Sequence, residues 1–118
     1  MVEDCVFCEI SNWKIHSKII YSNDNFLSIP DANPIVDGHS LVISKRHFDN
    51  ILDTPSSLGL ELLDCIKKTS LILIEKKKAE GINVVNNNFK VAGQLVNHVH
   101  FHIIPRKKGD GIRFLVRE

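Results

Sequence analysis

The chain lacks most of what marks a specialised polymer. Its formal net charge is only +1, so the basic excess of a dedicated nucleic-acid binder is missing. No apolar run is long enough to span a bilayer, and no membrane partner is expected. The opening Met1-Val2-Glu3-Asp4-Cys5 is acidic and has no signal-peptide core, which makes the cytoplasm the expected location. There are just three cysteines, an odd number, and the cytosol keeps thiols reduced, so a disulfide framework is not expected. Repeats, low-complexity linkers and dividing charge blocks are also lacking, so the chain reads as one domain, residues 1–118.

What is present is ordinary in bulk and unusual in detail. With 43% hydrophobic and 25% charged residues, the chain has the balance of a globular protein with a modest core, which pairing of two copies would help. Lys18 to Tyr21 reads as a strand, Ser22 to Asn25 as a turn, and Phe26 to Pro30 as the returning strand of a hairpin. A loop punctuated by Asn33-Pro34 and Asp37-Gly38 leads to a strand from His39 to Ser44. Thr54 and Pro55 suit the start of a helix, and Gly81 suits its stop, so the spacing of Leu58, Leu62, Leu63, Ile66 and Ile74 predicts one long helix from Pro55 to Glu80. Lys76-Lys77-Lys78 reads as its solvated end. Leu71 to Ile74 is apolar almost all round, which suggests burial on two faces. Strands are expected at Ile82 to Asn86, at Val96 to Pro105 and, in the tail, at Ile112 to Val116. The class is α+β with a mainly antiparallel sheet.

His98, His100 and His102 lie two apart in a predicted strand and so share one face, with Val99, Phe101 and Ile103 on the other. Neighbouring members are separated by roughly 6.6 Å and the outer pair by about 13 Å. Three metal–nitrogen bonds of about 2.0–2.1 Å cannot span that row, although two members could share an ion. A bland polar face is the competing reading. Neutral imidazole can instead attack phosphorus and carry a covalent intermediate, while its neighbours orient it or donate protons to phosphate oxygens.

Cys5-Val6-Phe7-Cys8 is a C-x2-C pair without the βαβ surroundings of a redox motif. Two thiolates need two more ligands for a closed zinc site. Spacing alone does not choose among His16, His39, His47 and the three strand histidines. His16 reads as a surface residue, and Cys65 reads as core.

Taken together, His98-Val99-His100-Phe101-His102-Ile103-Ile104, Cys5-x-x-Cys8, Asp31-Ala32-Asn33-Pro34, Gly38-His39-Ser40, Lys45-Arg46-His47, Ala92-Gly93-Gln94 and Pro105-Arg106 resemble the histidine-triad family in order over nearly the whole chain. The likeness is to its zinc-containing branch, related to nucleoside phosphoramidases and dinucleoside polyphosphate hydrolases. It implies a five-stranded, mainly antiparallel sheet with one long and one short helix, and a homodimer with a continuous sheet. It also implies that His100 takes the nucleotidyl group and that water then releases a nucleoside monophosphate, from a substrate with a purine base. His102, Asn87, Gly93 and Gln94 would hold phosphate and leaving group, Asp31 the ribose hydroxyls, and His39 would support the triad. Cys5, Cys8, His47 and His98 would bind a structural zinc, and catalysis would need no metal. A nucleotide-binding regulatory module with little turnover, a dinucleoside polyphosphate hydrolase and a metal-handling protein are the alternatives.

Three residues depart from the resemblance. Leu95 stands where the family usually has Ser or Thr beside the reacting phosphate. Phe89 stands where the loop often has Gly, and is expected to reshape the pocket. Ser44 stands in place of a common Pro, and reads as neutral.

Overall fold

The computed structural model describes residues 5–114. Helix α1 spans Val6–Ser11, strands β1, β2 and β3 span Tyr21–Ser22, Phe26–Pro30 and Ser40–Ser44, helix α2 spans Gly59–Lys77, and β4 and β5 span Gly81–Val85 and His100–Arg106. The strands form one antiparallel sheet in the order β1-β2-β3-β5-β4. One long helix and a five-stranded sheet agree with the expected class.

The sheet is covered on both faces because β2, β3 and β5 carry apolar side chains on both. On one face, Val99, Phe101 and Ile103 pack with Phe26, Val42, Cys65 and Leu73, which seals α2 against the sheet. Cys65, Thr69 and Leu73 recur every four residues and form the buried stripe of α2. Burial pushes the Cys65 thiol up to about 12, consistent with a core role. The Thr69 hydroxyl donates to Ser28 Oγ at 2.7 Å, which satisfies both buried groups across the helix–sheet contact. On the other face, Cys5, Phe7, Cys8 and Ile10 pack on Leu27, Ile29, Leu41 and Ile43. The register sets Ile43 opposite His100 and Leu41 opposite His102. The histidine face therefore lies under the N-terminal segment.

Several expected boundaries shift, each for a local reason. β1 is Tyr21–Ser22 rather than Lys18 to Tyr21, because Asn23 Oδ1 accepts the Asn25 and Phe26 N–H groups and reverses the chain at once. The long helix starts at Gly59, not Pro55. Asn50 caps a 3₁₀ turn at Ile51–Asp53, and the Thr54 hydroxyl is spent on Asn50 O, so Thr54 closes that turn instead of opening α2. A second 3₁₀ turn, Ser56–Leu58, fills the gap. At the far end Lys78 takes the left-handed conformation (φ 56°), and Gly81 opens β4 instead of stopping the helix. β5 starts at His100 rather than Val96. The preceding residues are held by other bonds, such as Val99 N–H to Phe48 O at 2.7 Å. The expected tail strand from Ile112 is not formed over residues 112–114, where Ile112 serves Arg106 and Asp110 instead, and its remainder lies outside the described residues. In Leu71 to Ile74 only Leu73 is buried, and Leu71 and Ile74 are exposed, so one face of this stretch is open in the single chain. Among the described residues, no helix is long and apolar enough to cross a membrane.

Candidate functional site

The three histidines do not remain equivalent. His98 precedes the start of β5 and is fully buried, with its ring turned toward the N-terminal segment. Its Nε2 lies 2.8 Å from Ser44 O, which can only accept, so Nε2 carries the proton and Nδ1 presents a lone pair. That Nδ1 lies 3.3 Å from Cys5 Sγ and 3.5 Å from Cys8 Sγ. His47 repeats the arrangement. Its Nε2 donates to Asp49 Oδ1 at 2.8 Å, and its Nδ1 lies 3.3 Å from Cys8 Sγ.

These four donors fit zinc. All their ligand atoms lie within 4.8 Å of one another. Zinc bond lengths of about 2.3 Å to sulfur and 2.0–2.1 Å to nitrogen give a tetrahedral S···N edge of about 3.5 Å, close to the spacings observed. Each imidazole also has its far nitrogen fixed by an oxygen, which is the outer-shell arrangement a ligating histidine needs. Ser44 belongs to this shell. Its hydroxyl donates to Arg46 O at 2.6 Å and sits 3.0 Å from His98 Nε2, so it is not the neutral replacement expected.

His100 opens β5 and is buried. Its Nδ1 donates to His98 O at 2.8 Å, which leaves the Nε2 lone pair available. The Phe7 ring stands edge-on to His100 at 5.2 Å and to His98 at 5.7 Å. Asn86 Nδ2 donates to His100 O at 2.9 Å.

His102 belongs to a second cluster, with His39 and Asp31. His39 Nδ1 accepts the Ile35 N–H at 3.2 Å, so the ring proton is on Nε2. That Nε2 lies 2.9 Å from His102 Nδ1 and 3.3 Å from Asp31 Oδ2. His102 Nδ1 is thereby the acceptor, and its Nε2–H is left to donate. The spacing of this trio would also suit a metal, but the proton that Ile35 imposes on His39 Nε2 makes it a hydrogen-bond relay. Asp31 Oδ1 additionally accepts the Asn33 N–H at 2.8 Å. Burial pushes the His102 pKa down to about 4, aided by the His100 and His39 charges and opposed by Asp31. Burial also lowers that of His39, against the pull of Asp31. Both rings are therefore neutral at pH 7.

This has a consequence for stability. Unfolded histidines titrate near 6.5. Below that value the unfolded chain binds protons that folded His102 and His39 resist, so folding free energy is expected to be intact above pH 6.5 and to fall toward pH 4. The groups facing these rings are Asp31 and His100. Chemical denaturation across this range should give a shallower slope in His102→Asn. An unchanged slope would refute the assignment.

The remaining expected residues lie on the 86–95 loop. Asn87 is half-buried, and its amide has no partner among the described residues. Gly93 has φ +98°, and a Cβ there would stand 3.5 Å from Asn87 Nδ2, so glycine keeps this backbone open beside the amide. Gln94 departs from the role implied for it. Its side chain binds Phe89 N–H at 2.8 Å, Asp49 O at 2.6 Å and Val96 O at 3.0 Å, which makes it a strut of the loop. His16 is exposed, as expected. Sequence reasoning missed Asp49, Phe7 and Asn86. A carboxylate two residues after a ligand histidine is a readable signal for Asp49, whereas no local pattern marks Phe7 or Asn86.

The HIT domain family model matches residues 12–109. An uncharacterised HIT-like protein of Methanocaldococcus jannaschii is 45% identical, over 91% of this chain and 82% of its own length. An adenosine 5′-monophosphoramidase of Candida albicans is 35% identical, over 87% of this chain and 70% of its own. The crystal structure of a zinc-bound histidine-triad family protein from Mycobacterium smegmatis superposes with a TM-score of 0.87 at 36% identity, covering 94% of this chain and 81% of that one. With the ordered histidine face and the Cys-Cys-His-His cluster, these matches establish that the chain belongs to the histidine-triad family.

Proposed function

We propose that this protein is a nucleotide hydrolase that cleaves a nucleoside 5′-phosphoramidate, or a related nucleotide conjugate, through a nucleotidyl intermediate on His100. The observation that carries this reading is the His100 Nδ1–H bond to His98 O, which directs an unprotonated Nε2 away from the backbone. In the first step the P–Nε2 bond forms as the bond from phosphorus to the leaving nitrogen or oxygen breaks, and the leaving group takes a proton from solvent. In the second step water adds to phosphorus, the P–Nε2 bond breaks and a proton is released with the nucleoside monophosphate. His102 Nε2–H, the Asn87 amide and the Gly93 backbone would hold phosphate oxygens, with Gln94 keeping the loop in place. Asp31 would receive the ribose hydroxyls of a purine nucleotide. Rapid quench followed by mass spectrometry should find one nucleotidyl group on His100. Turnover without any such adduct would refute the covalent route.

Zinc at Cys5, Cys8, His47 and His98 would be structural, since four protein ligands leave no open position. Thiolates used this way call for reducing surroundings, which supports a cytoplasmic location. We read the assembly as a homodimer. Leu60, Leu63, Leu71 and Ile74 lie exposed along α2, and among the described residues β4 pairs with β5 alone, so a second copy could bury both. Sedimentation should give twice the chain mass, and a monomer at micromolar concentration would refute this.

One observation favours a second reading. Leu95 supplies no hydroxyl beside the phosphate and is 90% exposed, which would suit a nucleotide-binding module with little turnover. Nucleoside monophosphate binding without hydrolysis of any conjugate, including dinucleoside polyphosphates, would select it.

A further inference from the structure

The turn that begins at His47 is bonded to the 86–99 stretch at three points. Phe48 O accepts the Val99 N–H at 2.7 Å, Asp49 O accepts from Gln94 Nε2 at 2.6 Å, and the Ile51 N–H donates to Asn88 Oδ1 at 2.9 Å. The first residue of this turn is one of the four zinc donors. His47 Nδ1 faces Cys8 Sγ, and its Nε2–H donates to Asp49 Oδ1 at 2.8 Å. Asp49 therefore holds the donor ring with its carboxylate and the loop with its carbonyl.

That carboxylate is 53% exposed, so water competes for it. A metal at Nδ1 fixes the ring and leaves Nε2–H as its one donor, which keeps the bond to Asp49 made. The Asp49 N–H donates to Asp53 Oδ2 at 3.1 Å, so the turn also closes on itself.

At the other end stands a strained residue. Phe89 lies at φ 72° and ψ 153°, a conformation essentially reserved for glycine. Such a backbone persists only where its surroundings hold it. Gln94 does so: its Oε1 accepts the Phe89 N–H at 2.8 Å, and its own N–H donates to Phe89 O at 3.1 Å. Gln94 is buried, and its Nε2 protons go to Asp49 O and Val96 O. A line thus runs from His47 to Asp49 to Gln94 to Phe89, and each link in it is a hydrogen bond.

We propose that Asp49 is a positioning residue that transmits zinc occupancy at His47 to the 86–95 loop, so that metal binding sets the order of the loop and its affinity for a nucleotide phosphate. The phosphate part rests on the hydrolase reading, which puts phosphate beside Asn87 and Gly93. The coupling of metal to loop does not.

The test compares the native chain with Asp49→Ala and Asp49→Asn, each loaded with zinc. Competition with a chromogenic chelator measures zinc affinity, residue-resolved amide exchange measures loop order, and titration with adenosine 5′-monophosphate measures nucleotide affinity. Asp49→Ala should weaken zinc binding by about 10–100-fold. With zinc saturating, it should speed exchange at Phe89 and Gln94 by about tenfold and leave the β3 amides as they are. Asp49→Asn, whose Oδ1 still accepts the His47 proton, should restore the loop. Stripping zinc from the native chain should loosen the same amides and add little in Asp49→Ala. Exchange at Phe89 and Gln94 that ignores both the substitution and the metal would overturn the coupling, as would a native chain that takes up no zinc. An equal rise in β3 in zinc-loaded Asp49→Ala would also overturn it, because global stability rather than this link would then have been lost. A loop that responds while nucleotide affinity does not would leave the coupling standing and sink the placement of phosphate on this loop. Nucleotide affinity that falls while the loop stays ordered would reject the coupling and leave the hydrolase reading intact.

Discussion

His100→Ala is expected to lower turnover of a nucleoside phosphoramidate by at least about a thousandfold, the scale on which a removed nucleophile or proton-transfer group registers. The loss should fall on kcat, because the imidazole is used for bond formation rather than for holding the nucleotide. Nucleoside monophosphate affinity should change by less than about tenfold, and the unfolding midpoint only slightly, since Phe7 keeps its contact with His98. Pre-steady-state assays on native and variant chains would check all three. A variant that retains a tenth of native activity would show that the chemistry lies elsewhere. His102 offers a contrast. Its Nδ1 is tied to His39, so His39→Ala frees the tautomer of His102 and should raise KM and reduce kcat together, by less than the loss of His100 itself.

The second large effect concerns the cysteine end. Purified protein should carry about one zinc per chain. Cys8→Ser should remove it, because Cys8 Sγ faces both His47 and His98. The thermal midpoint is then expected to fall by more than about 10 °C, which corresponds to a few kcal/mol in a domain of this size. A strong chelator should reproduce the fall in the native chain and add nothing to the variant. Stoichiometry near zero in the native protein, or equal midpoints, would reject the metal site. The two regions are joined through residue 98. Its ring faces the sulfur atoms and its carbonyl holds His100 Nδ1, so the zinc-free variant should also lose order at His100, visible as a change in the imidazole nitrogen resonances.

How much of this was legible in the sequence depends on how local the cause was. β2 and β3 lie close to where apolar runs bounded by turn residues put them. Spacing alone marked the row His98, His100, His102 as a candidate site, with a bland polar face as the competing reading. Spacing could not show that β5 begins at His100, because that boundary is set by Val99 bonding Phe48, fifty-one positions earlier in the chain. The start of α2 was misread for a similar reason. Thr54 is a good cap in isolation, but Asn50 had already claimed its hydroxyl. Cys5, Cys8, His47 and His98, the four residues the family resemblance grouped, come together with their ligand atoms within 4.8 Å of one another, and Gly93 lies beside the Asn87 amide. Gln94 lies in the right segment with its side chain committed to backbone, and no pattern in the sequence distinguishes a strut from a ligand.

Cys5 and His98 meet although 93 positions separate them. A chain made from its N-terminus must therefore carry the Cys-x-x-Cys segment without its partners until β5 has emerged. Long-range closures of this kind come late in folding. Joining α1 to the sheet should thus be a post-synthetic event, and during translation the two thiols are open to oxidation or to a competing metal. The supply of zinc to the nascent chain, more than the intrinsic speed of sheet formation, would then govern the yield of intact protein.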